Sequence, residues 1–455
     1  MLQTLFAASC LWLLTSSCLL GQATPPNIVM IISDDQSWTD YGFMGHDAIQ
    51  TPHLDKLAAQ SATYTRGYVP TALCRPSLVT LVTGLYTHQH KISGNDPAPT
   101  LADPTKQKAK YDQLRAQLIG HIDKQPTVPQ ILGKKGYLSH QSGKWWEGNF
   151  SRGGFTHGMT RGFPQPGGRH GDDGLKIGRE GMLPVFNFIT EATMEKKPFF
   201  VWYAPFLPHT PHNPPQHLLD KYTQPGRSEY IAKYYAMCDW FDDTCGQLVN
   251  FLDEKGLRKN TLIVYVTDNG WIQSENSRKY APRSKQSPNE GGTRTPIMFS
   301  WPGTIKPGLR SDLCSSIDIV PTMLSAAGAN IPGNLPGLDL MPVLKTGGKI
   351  ERDTIYGEGF AHDVANLEKP EDSLLYRWAI EGKWKLLLTY DGKVGRYASS
   401  HPRSERRPHL YDVLSDPDET VNVASQYPKV VAGLAKKIEN WWTVKERKAI
   451  TEWKD

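Results

Sequence analysis

Short apolar runs without polar alternation recur along the chain and are separated by amphipathic stretches. The clearest runs cover residues 27–32, 198–203 and 261–267 and are rich in β-branched and aromatic side chains. We interpret them as strands buried on both faces, because a half-exposed strand alternates apolar and polar residues. A helix is predicted to begin at Pro52, with Thr51 as its N-cap. The pattern predicts an α/β fold with a large mixed, mostly parallel sheet sandwiched by helices.

The pattern changes after about residue 350. Residues 377–388 are typical of two strands joined by a Glu-Gly-Lys turn, which is an antiparallel hairpin. A further strand is predicted at residues 409–413 and an amphipathic helix at 428–448. We therefore expect a main domain at residues 24–350 and a smaller C-terminal α+β subdomain with an antiparallel sheet at 351–455.

The N-terminal 23 residues have the features of an export signal. An apolar core around residues 11–14 is followed by Gly21-Gln22-Ala23, which suits cleavage after Ala23. A lipid anchor at Cys18 is a weaker alternative, because the residues before it are a poor lipoprotein box. No later segment has the length and apolarity of a membrane-spanning helix. We expect an exported protein, either periplasmic or secreted.

Composition narrows the class of protein. The net charge of +5 comes from scattered Lys and Arg residues, which does not favour a nucleic-acid partner. Four cysteines remain after removal of residues 1–23, too few for a disulfide framework. Cys238 and Cys245 fall in one predicted helix and are expected as core thiols. The 13 Trp and 19 Tyr residues provide aromatic surfaces that suit sugar rings.

Acidic and amide residues follow two of the predicted strands. Asp34 and Asp35 come directly after the first, and Asp268 and Asn269 come directly after the third. Ligands of parallel sheets bind beyond the carboxyl ends of the strands, so these four side chains are expected at one edge. Oxygen-only ligands favour Ca²⁺ or Mg²⁺ over Zn²⁺. The alternative reading of Asp34-Asp35 is a turn with a helix cap.

Basic residues are expected at the same edge. Lys144 follows a short strand, His209 and His212 follow the strand that ends near residue 203, and Lys285 lies in a polar loop. Lysines and histidines around a divalent cation would bind an oxygen-rich anion and stabilise charge on its oxygens. Taken singly, each has the plainer interpretation of a solvated lysine or a loop histidine.

Cys74 lies just before a predicted helix that closes at Gly84. The free N–H groups of a helix N-terminus favour anions, so this cysteine is a candidate for chemistry. The plainer interpretation is a buried, inert thiol.

Six motifs in order resemble those of the type I sulfatases of the alkaline phosphatase superfamily. The resemblance covers nearly the whole chain after residue 23. The corresponding segments are residues 27–35, 51–58, 74–84, 267–270, 285–303 (with Lys285, Glu-Gly-Gly-Thr-Arg and Trp-Pro-Gly) and 410–422.

This resemblance implies an alkaline phosphatase-like fold, a catalytic domain at 24–350 and a role for each candidate residue. Cys74 would be oxidised to Cα-formylglycine (3-oxoalanine) by a formylglycine-generating or anaerobic maturation enzyme, and one hydroxyl of its hydrate would attack sulfur. Lys144 and Lys285 would neutralise the sulfate oxygens, and His209 would assist the leaving oxygen. The implied Ca²⁺ ligands are Asp34, Asp35, Cys74, Asp268 and Asn269.

Two positions depart from the sulfatase pattern. The signature Cys-x-Pro-x-Arg has Leu78 in place of its arginine, and Arg75 is the nearest candidate to replace it in substrate binding. The family's Gly-Lys-Trp-His has Trp146 in place of the histidine commonly given the base role in sulfate release. The candidates to replace that histidine are His88, His90, His157 and His212.

The sequence therefore predicts an exported Ca²⁺-dependent sulfatase that hydrolyses sulfate esters of a carbohydrate, with a polysaccharide or oligosaccharide as the expected substrate. One alternative is a phosphodiesterase or phosphonate hydrolase of the same superfamily. Another is a catalytically silent protein that binds sulfated glycans, which the changes at Leu78 and Trp146 would allow.

Overall fold

The computed structural model describes residues 25–390, 407–447 and 449. The predicted signal peptide at 1–23, the alternative lipid anchor at Cys18 and nearly all of the loop at 390–408 lie outside these residues. Within the described part of the chain, no helix combines the length and apolarity needed to cross a bilayer.

The strands of the described chain are numbered in chain order. They are β1 (Asn27–Ser33), β2 (Ala62–Tyr68), β3 (Asp96–Pro97), β4 (Leu138–Gly143), β5 (His157–Gly158), β6 (Phe199–Ala204), β7 (Thr261–Thr267), β8 (Arg294–Ser300), β9 (Gly308–Arg310), β10 (Cys314–Ser315), β11 (Thr354–Phe360), β12 (Asp363–Val364), β13 (Leu374–Glu381), β14 (Trp384–Thr389) and β15 (His409–Asp412).

The α-helices are numbered in the same way. They are α1 (Pro52–Ala59), α2 (Cys74–Thr83), α3 (Thr87–His90), α4 (Lys108–Ile119), α5 (Val128–Gly133), α6 (Leu183–Met194), α7 (Gln216–Tyr222), α8 (Glu229–Glu254), α9 (Glu290–Thr293), α10 (Ile319–Ala326), α11 (Met341–Thr346) and α12 (Pro428–Trp441).

A nine-stranded mixed sheet forms the centre of the molecule. Its order is β10-β2-β8-β7-β1-β6-β4-β5, with β9 also paired to β2. Every pairing is parallel except those of β8, which runs antiparallel to both β2 and β7. The predicted large, mostly parallel sheet is therefore confirmed.

Helices cover both faces of this sheet. Successive residues of β1 point to opposite faces, so Ile28 and Met30 pack into one apolar cluster and Val29 and Ile31 into another. All seven residues of β1 are buried, which is why its sequence is a continuous apolar run.

Two details of the predicted elements differ from the structure. Thr51 is the N-cap residue of α1 as predicted, but its side chain makes no capping hydrogen bond. Its hydroxyl donates to Asp55 Oδ1 at 2.9 Å and accepts from Gly42 N instead. The last helix ends at Trp441 instead of Lys448. There the Trp442 indole stacks on His88 at 4.4 Å between ring centroids, a tertiary contact that no helical periodicity encodes.

The C-terminal part contains the predicted antiparallel sheet. Its order is β11-β13-β14-β15, with β13 and β14 forming the hairpin around Gly382. Helix α12 packs against this sheet through a small apolar cluster that includes Leu386, Leu434 and Ile438.

A buried ionic cluster fixes the antiparallel sheet to the rest of the molecule. Lys385 of β14 is fully buried, and its Nζ lies 3.0 Å from Glu290 Oε1 and 3.3 Å from Glu419 Oε1. Tyr68 donates to the other oxygen of Glu290 at 2.9 Å. Glu290 opens α9, so this contact also fixes the segment that follows Lys285 in sequence.

The four cysteines of the described chain are free thiols. Cys238 and Cys245 are buried within the single helix α8, as expected for core residues, and Cys74 and Cys314 are also buried and unpaired.

Candidate active site

Four neighbouring strands end at one edge of the large sheet and carry the candidate residues there. Ser33 of β1 pairs with Thr267 of β7, so Asp34 and Asp268 leave the sheet side by side. On the other side of β1, Gly143 of β4 pairs with Ala204 of β6, and Lys144 follows. The parallel sheet thus brings together residues that lie far apart in sequence.

Gly143 sets the direction in which Lys144 leaves the sheet. Its φ is +84°, and a Cβ at this position would lie 1.7 Å from the carbonyl oxygen of Ala204. Only glycine meets both conditions, because it has no Cβ and adopts positive φ without strain. The turn that places Lys144 therefore requires a glycine.

Asp35 is the centre of the carboxylate cluster. Its Oδ1 accepts from Asn269 Nδ2 at 2.7 Å, and its backbone N–H donates to Asp268 Oδ1 at 3.1 Å. Asp35 also has a φ of +63°, which is uncommon for a residue with a side chain and is found preferentially at functional sites. Asp34 and Asp268 are each at most 2% exposed.

Three buried oxygen atoms of this cluster have no hydrogen-bond partner among the residues that the structure describes. They are Asp34 Oδ2, Asp268 Oδ2 and Asn269 Oδ1. Unsatisfied buried oxygens are costly unless something else compensates them. Carboxylate and amide oxygens are the donors that Ca²⁺ and Mg²⁺ take, so the residues present fit a hard divalent cation.

Burial makes these carboxyl groups hard to ionise without a cation. Burial raises the pKa of Asp34 well above its usual range and also raises the pKa of Asp268, and the positive charge of Lys144 only partly opposes both rises. A bound divalent cation would favour the ionised forms.

Two buried lysines border the carboxylates. Lys144 Nζ lies 2.7 Å from Asp34 Oδ1, and Lys285 Nζ lies 2.6 Å from both oxygens of Asp35. Burial alone would lower the pKa of each lysine, but Asp34 and Asp35 respectively raise it above its usual value. Both side chains are therefore permanent cations at neutral pH.

His209 lies over the same carboxylate from the loop after β6. Its Nε2 is 3.3 Å from Asp35 Oδ2, and its Nδ1 pairs with the carbonyl oxygen of Thr210 at 2.6 Å. Burial, followed by the charges of Lys144 and Lys285, lowers the pKa of His209 well below its usual value. The carbonyl contact makes Nδ1 the protonated nitrogen, which leaves Nε2 to face the cluster.

Cys74 is the first residue of α2 and completes the group. Its Sγ lies 4.0 Å from Asp35 Oδ1, and ligand atoms of Asp34, Asp35, Cys74 and His209 all lie within 4.8 Å of one another. Burial raises the pKa of the Cys74 thiol to about 12. An unmodified thiol here is protonated at neutral pH and is a poor nucleophile.

The start of α2 offers fewer free N–H groups than the sequence suggested. Arg75 N donates to Asn95 Oδ1 at 3.2 Å, Pro76 has no N–H, and Ser77 N donates to the Leu73 carbonyl. The anion-binding contribution expected from this helix end is therefore small, and the lysines supply the positive charge.

Arg75 and Leu78 both point away from the carboxylates. The Arg75 guanidinium is buried and forms two 2.7 Å hydrogen bonds with the carboxylate of Glu147. Leu78 is 3% exposed and packs in the large apolar cluster on one face of the sheet. No contact found among the described residues joins Arg75 to the carboxylate cluster.

Three of the four histidines considered in place of Trp146 lie elsewhere. His88 pairs with Glu358, His90 is fully buried beside Thr80, and His157 pairs with Glu191 at 3.4 Å on the surface. His212 packs its ring against Trp271, whose indole also lies beneath Lys285 Nζ, so it borders the site.

Sequence reasoning missed His170 and Glu147. The ring of His170 packs against Trp146 and Phe206, and Phe206 stacks on His209 with ring centroids 4.4 Å apart. A histidine flanked by glycines in Gly-Gly-Arg-His-Gly was the available signal for the first. Nothing in the sequence pattern marks Glu147 as the partner of Arg75.

Comparison with known proteins identifies the class to which this fold and site belong. The sulfatase family profile matches residues 26–329, and the profile for the C-terminal part of N-sulphoglucosamine sulphohydrolase matches residues 284–443. The chain is 28% identical to human arylsulfatase A over 479 residues, covering 91% of this chain and 87% of that protein. It is 27% identical to rat N-acetylgalactosamine-6-sulfatase over 380 residues, covering 74% and 69% respectively.

Solved structures show the same fold. The crystal structure of Ps i-CgsB has a TM-score of 0.70 at 23% identity and covers 94% of this chain and 95% of its own. The phosphonate monoester hydrolase of Agrobacterium radiobacter has a TM-score of 0.66 at 19% identity, with coverages of 91% and 95%. The fold is thus the one shared by sulfatases and phosphonate hydrolases of the alkaline phosphatase superfamily.

The chain belongs to the sulfatase family. It is a sulfuric ester hydrolase, built on the predicted mixed α/β fold.

Proposed function

We propose that this protein is an exported, Ca²⁺-dependent sulfatase that removes sulfate from a sulfated carbohydrate, with Cys74 as formylglycine. One observation carries the proposal. Three buried, unpartnered oxygens of Asp34, Asp268 and Asn269 lie in the cluster that also contains Asp35 and Cys74. Oxygen donors of this kind suit Ca²⁺.

The calcium ion would be held by Asp34, Asp35, Asp268 and Asn269 and would make a hydroxyl of the Cys74 aldehyde hydrate a better nucleophile. A thiol with a pKa of about 12, raised by burial, is poorly suited to the same task. A sulfate carried on a cysteine sulfur would also lack the internal route of release that a second hydroxyl provides.

The other site residues act on the sulfate and the leaving group. Lys144 and Lys285 neutralise the sulfate oxygens, since both are buried ammonium groups next to the cluster. His209 contacts the sulfate ester and assists departure of the sugar oxygen. Arg75 would support substrate binding only through Glu147, with which it is paired.

Neighbouring structures support a carbohydrate substrate. Ps i-CgsB has been solved with k-i-k-neocarrahexaose, and the related BT4656 has been solved with D-glucosamine-2-N,6-O-disulfate. In this chain a cavity of about 550 Å³ adjoins the loop after β6 that carries His209. Its lining residues include Thr210, His212, Tyr230, Lys233 and Arg278. An aromatic ring and two cations suit a sugar that carries a further acidic group.

The reaction is tested by comparing substrates under one set of conditions. The protein, co-expressed with a maturation enzyme, is assayed against sulfated mono- and polysaccharides, a phosphonate monoester and a phosphodiester, with Ca²⁺ and after chelation. Sulfate release that requires Ca²⁺ and is lost in Cys74→Ala is expected.

Two outcomes would contradict the proposal. Faster turnover of the phosphonate or the diester would favour the alternative function, a phosphodiesterase or phosphonate hydrolase. The Agrobacterium enzyme with the same fold is a phosphonate monoester hydrolase. Tight binding of sulfated glycans without turnover would favour the silent binding protein suggested by Leu78 and Trp146.

Export is tested separately. Expression of the full chain followed by N-terminal sequencing of the mature protein should show processing after Ala23 and recovery outside the cytoplasm. An unprocessed cytoplasmic chain would contradict export, and a lipid-modified N-terminus at Cys18 would replace cleavage after Ala23 with an anchor.

A further inference from the structure

His170 lies in the wall of the active site although it comes from a loop that carries no recognised motif. Its ring centroid is 5.2 Å from that of Trp146 and 5.6 Å from that of Phe206. Lys144 Nζ lies 5.5 Å from the same Phe206 ring, and His209 stacks on that ring. The phenyl ring therefore has His170, Lys144 and His209 as neighbours.

The loop that carries His170 is fixed to the turn that carries Lys144. The Trp145 backbone N–H donates to the His170 carbonyl oxygen at 3.2 Å. Thr160 Oγ1 donates to the carbonyl oxygen of Gly171 at 3.0 Å, and its second contact is the carbonyl of Gly143 at 3.5 Å. The imidazole is thus positioned by the same backbone that positions a sulfate-binding lysine.

A second path fixes the loop to the start of the helix that carries Cys74. Asn95 accepts from Arg75 N, and the next residue, Asp96, pairs with the guanidinium of Arg169, with Arg169 Nε 3.1 Å from Asp96 Oδ2. The Arg169 guanidinium lies 4.6 Å above the Trp146 ring. Residues on both sides of the site therefore hold the backbone on either side of His170.

The His170 imidazole has unused hydrogen-bonding capacity. Its Nδ1 is buried and has no hydrogen-bond partner within the described part of the chain. Burial, with the charges of Lys144 and Arg169, lowers the pKa of His170 to about 3, so the ring is neutral in the absence of an anion. His209, in contrast, uses its Nδ1 on the Thr210 carbonyl.

We propose that His170 is the base that allows sulfate to leave the enzyme, an inference that rests on the function proposed above. After the sugar alcohol has departed, sulfate is bonded to one oxygen of the Cys74 side chain. The O–H bond of the second hydroxyl breaks, and its proton passes to a nitrogen of His170. The electron pair of that bond forms the C=O bond, the C–O bond to sulfate breaks, and its electron pair leaves with sulfate.

The charge of the departing group makes this proton transfer favourable. Burial is the main reason that His170 is neutral, and the charges of Lys144 and Lys285 add to it. Sulfate bound between the two lysines would oppose their contribution, because an adjacent anion favours the imidazolium. In this scheme His209 assists departure of the sugar oxygen in the first step, and His170 accepts the proton in the second. His209, whose Nδ1 is held by the Thr210 carbonyl, does not need to perform both steps.

The test separates the first chemical step from the second. His170→Ala and His170→Gln are compared with the wild type and with His157→Gln, whose histidine pairs with Glu191 at the surface. Enzyme in the presence of 4-nitrophenyl sulfate is followed on the millisecond scale for 4-nitrophenol, and the Cys74 peptide is then analysed by mass spectrometry. Thermal unfolding of each variant establishes that it is folded.

Both His170 variants should release about one equivalent of nitrophenol rapidly and then turn over roughly 10² to 10⁴-fold more slowly than wild type. Their Cys74 peptide should carry a sulfate group, whereas the wild-type and His157→Gln peptides should not. Added imidazole should restore part of the turnover of His170→Ala.

Two results would overturn the proposal. Turnover of His170→Gln within about twofold of wild type would show that no proton passes to this residue. Loss of turnover without a burst and without sulfate on the peptide would place His170 in packing or in the first step. A wild-type protein that releases no nitrophenol and keeps an unmodified thiol would instead contradict the sulfatase mechanism itself.

Discussion

At the scale of single residues, the proposed metal site depends on oxygen atoms that have no partner among the described residues. Asp268 Oδ2 is one of them, and its side chain is fully buried. Asp34 and Lys144 were foreseeable because polar residues after buried strands collect at one edge. The pairing of Arg75 with Glu147 could not be foreseen, because it depends on the path of a loop that no periodicity encodes.

Asp268→Asn should lower Ca²⁺ affinity and reduce turnover by at least about 100-fold, because it removes a charged ligand while preserving shape. The rise in thermal stability that Ca²⁺ produces in the wild type should shrink in parallel. Asp123→Asn, which alters an exposed pair with Arg152, is the matched control and should behave as wild type. Equal calcium stabilisation in both variants would contradict the metal assignment.

Leu78→Arg restores the sulfatase signature but should not improve the enzyme. Leu78 is 3% exposed in an apolar cluster, so a guanidinium there would be buried without a partner. A loss of roughly 3 to 5 kcal/mol in the free energy of unfolding is expected from urea denaturation. Leu78→Met should cost less than about 1.5 kcal/mol. An arginine variant as stable as wild type would show that this position opens to the site.

At the scale of elements, the Arg75–Glu147 pair joins the start of α2 to the loop after β4. Both side chains are at most 2% exposed, so their charges depend on each other. The strands β1, β6 and β7 followed from the apolar runs, but their order in the sheet was not predicted. The end of α12 was not predicted correctly, because Trp442 leaves the helix to stack on His88.

Glu147→Gln should destabilise the protein by about 3 kcal/mol, because it leaves the Arg75 charge buried without its carboxylate. The double variant Arg75→Met/Glu147→Leu should recover much of this loss. Urea denaturation of the three variants gives the coupling. Additive losses in the double variant would contradict a paired contribution.

At the scale of the whole molecule, the C-terminal sheet is joined to the main part of the protein through Lys385 of β14 and Glu290 of α9. Glu419 of the C-terminal part lies beside the same lysine. The change of pattern near residue 350 predicted this second unit, and the structure confirms its antiparallel sheet. The ionic contact of Lys385 with Glu290 and Glu419 was not predicted, because the sequence does not show which charged residues are buried together.

Lys385→Met should lower the free energy of unfolding by about 3 to 5 kcal/mol at pH 8. Burial raises the pKa of Glu419, and Lys385 lowers it, so removal of the lysine raises that pKa further. A carboxyl group whose pKa is raised in the folded state lowers the free energy of unfolding as pH rises. The stability lost in Lys385→Met should therefore be smaller at pH 5 than at pH 8. A deficit independent of pH would contradict an electrostatic origin.

The proposed mechanism requires Cys74 to be oxidised to formylglycine, and the mass of a single peptide tests this requirement. The protein is expressed with a formylglycine-generating enzyme, and the mass of the tryptic peptide that contains Cys74 is determined. We expect the mass of the aldehyde or its hydrate, despite Leu78 in the signature. An unmodified thiol under every maturation condition would contradict it.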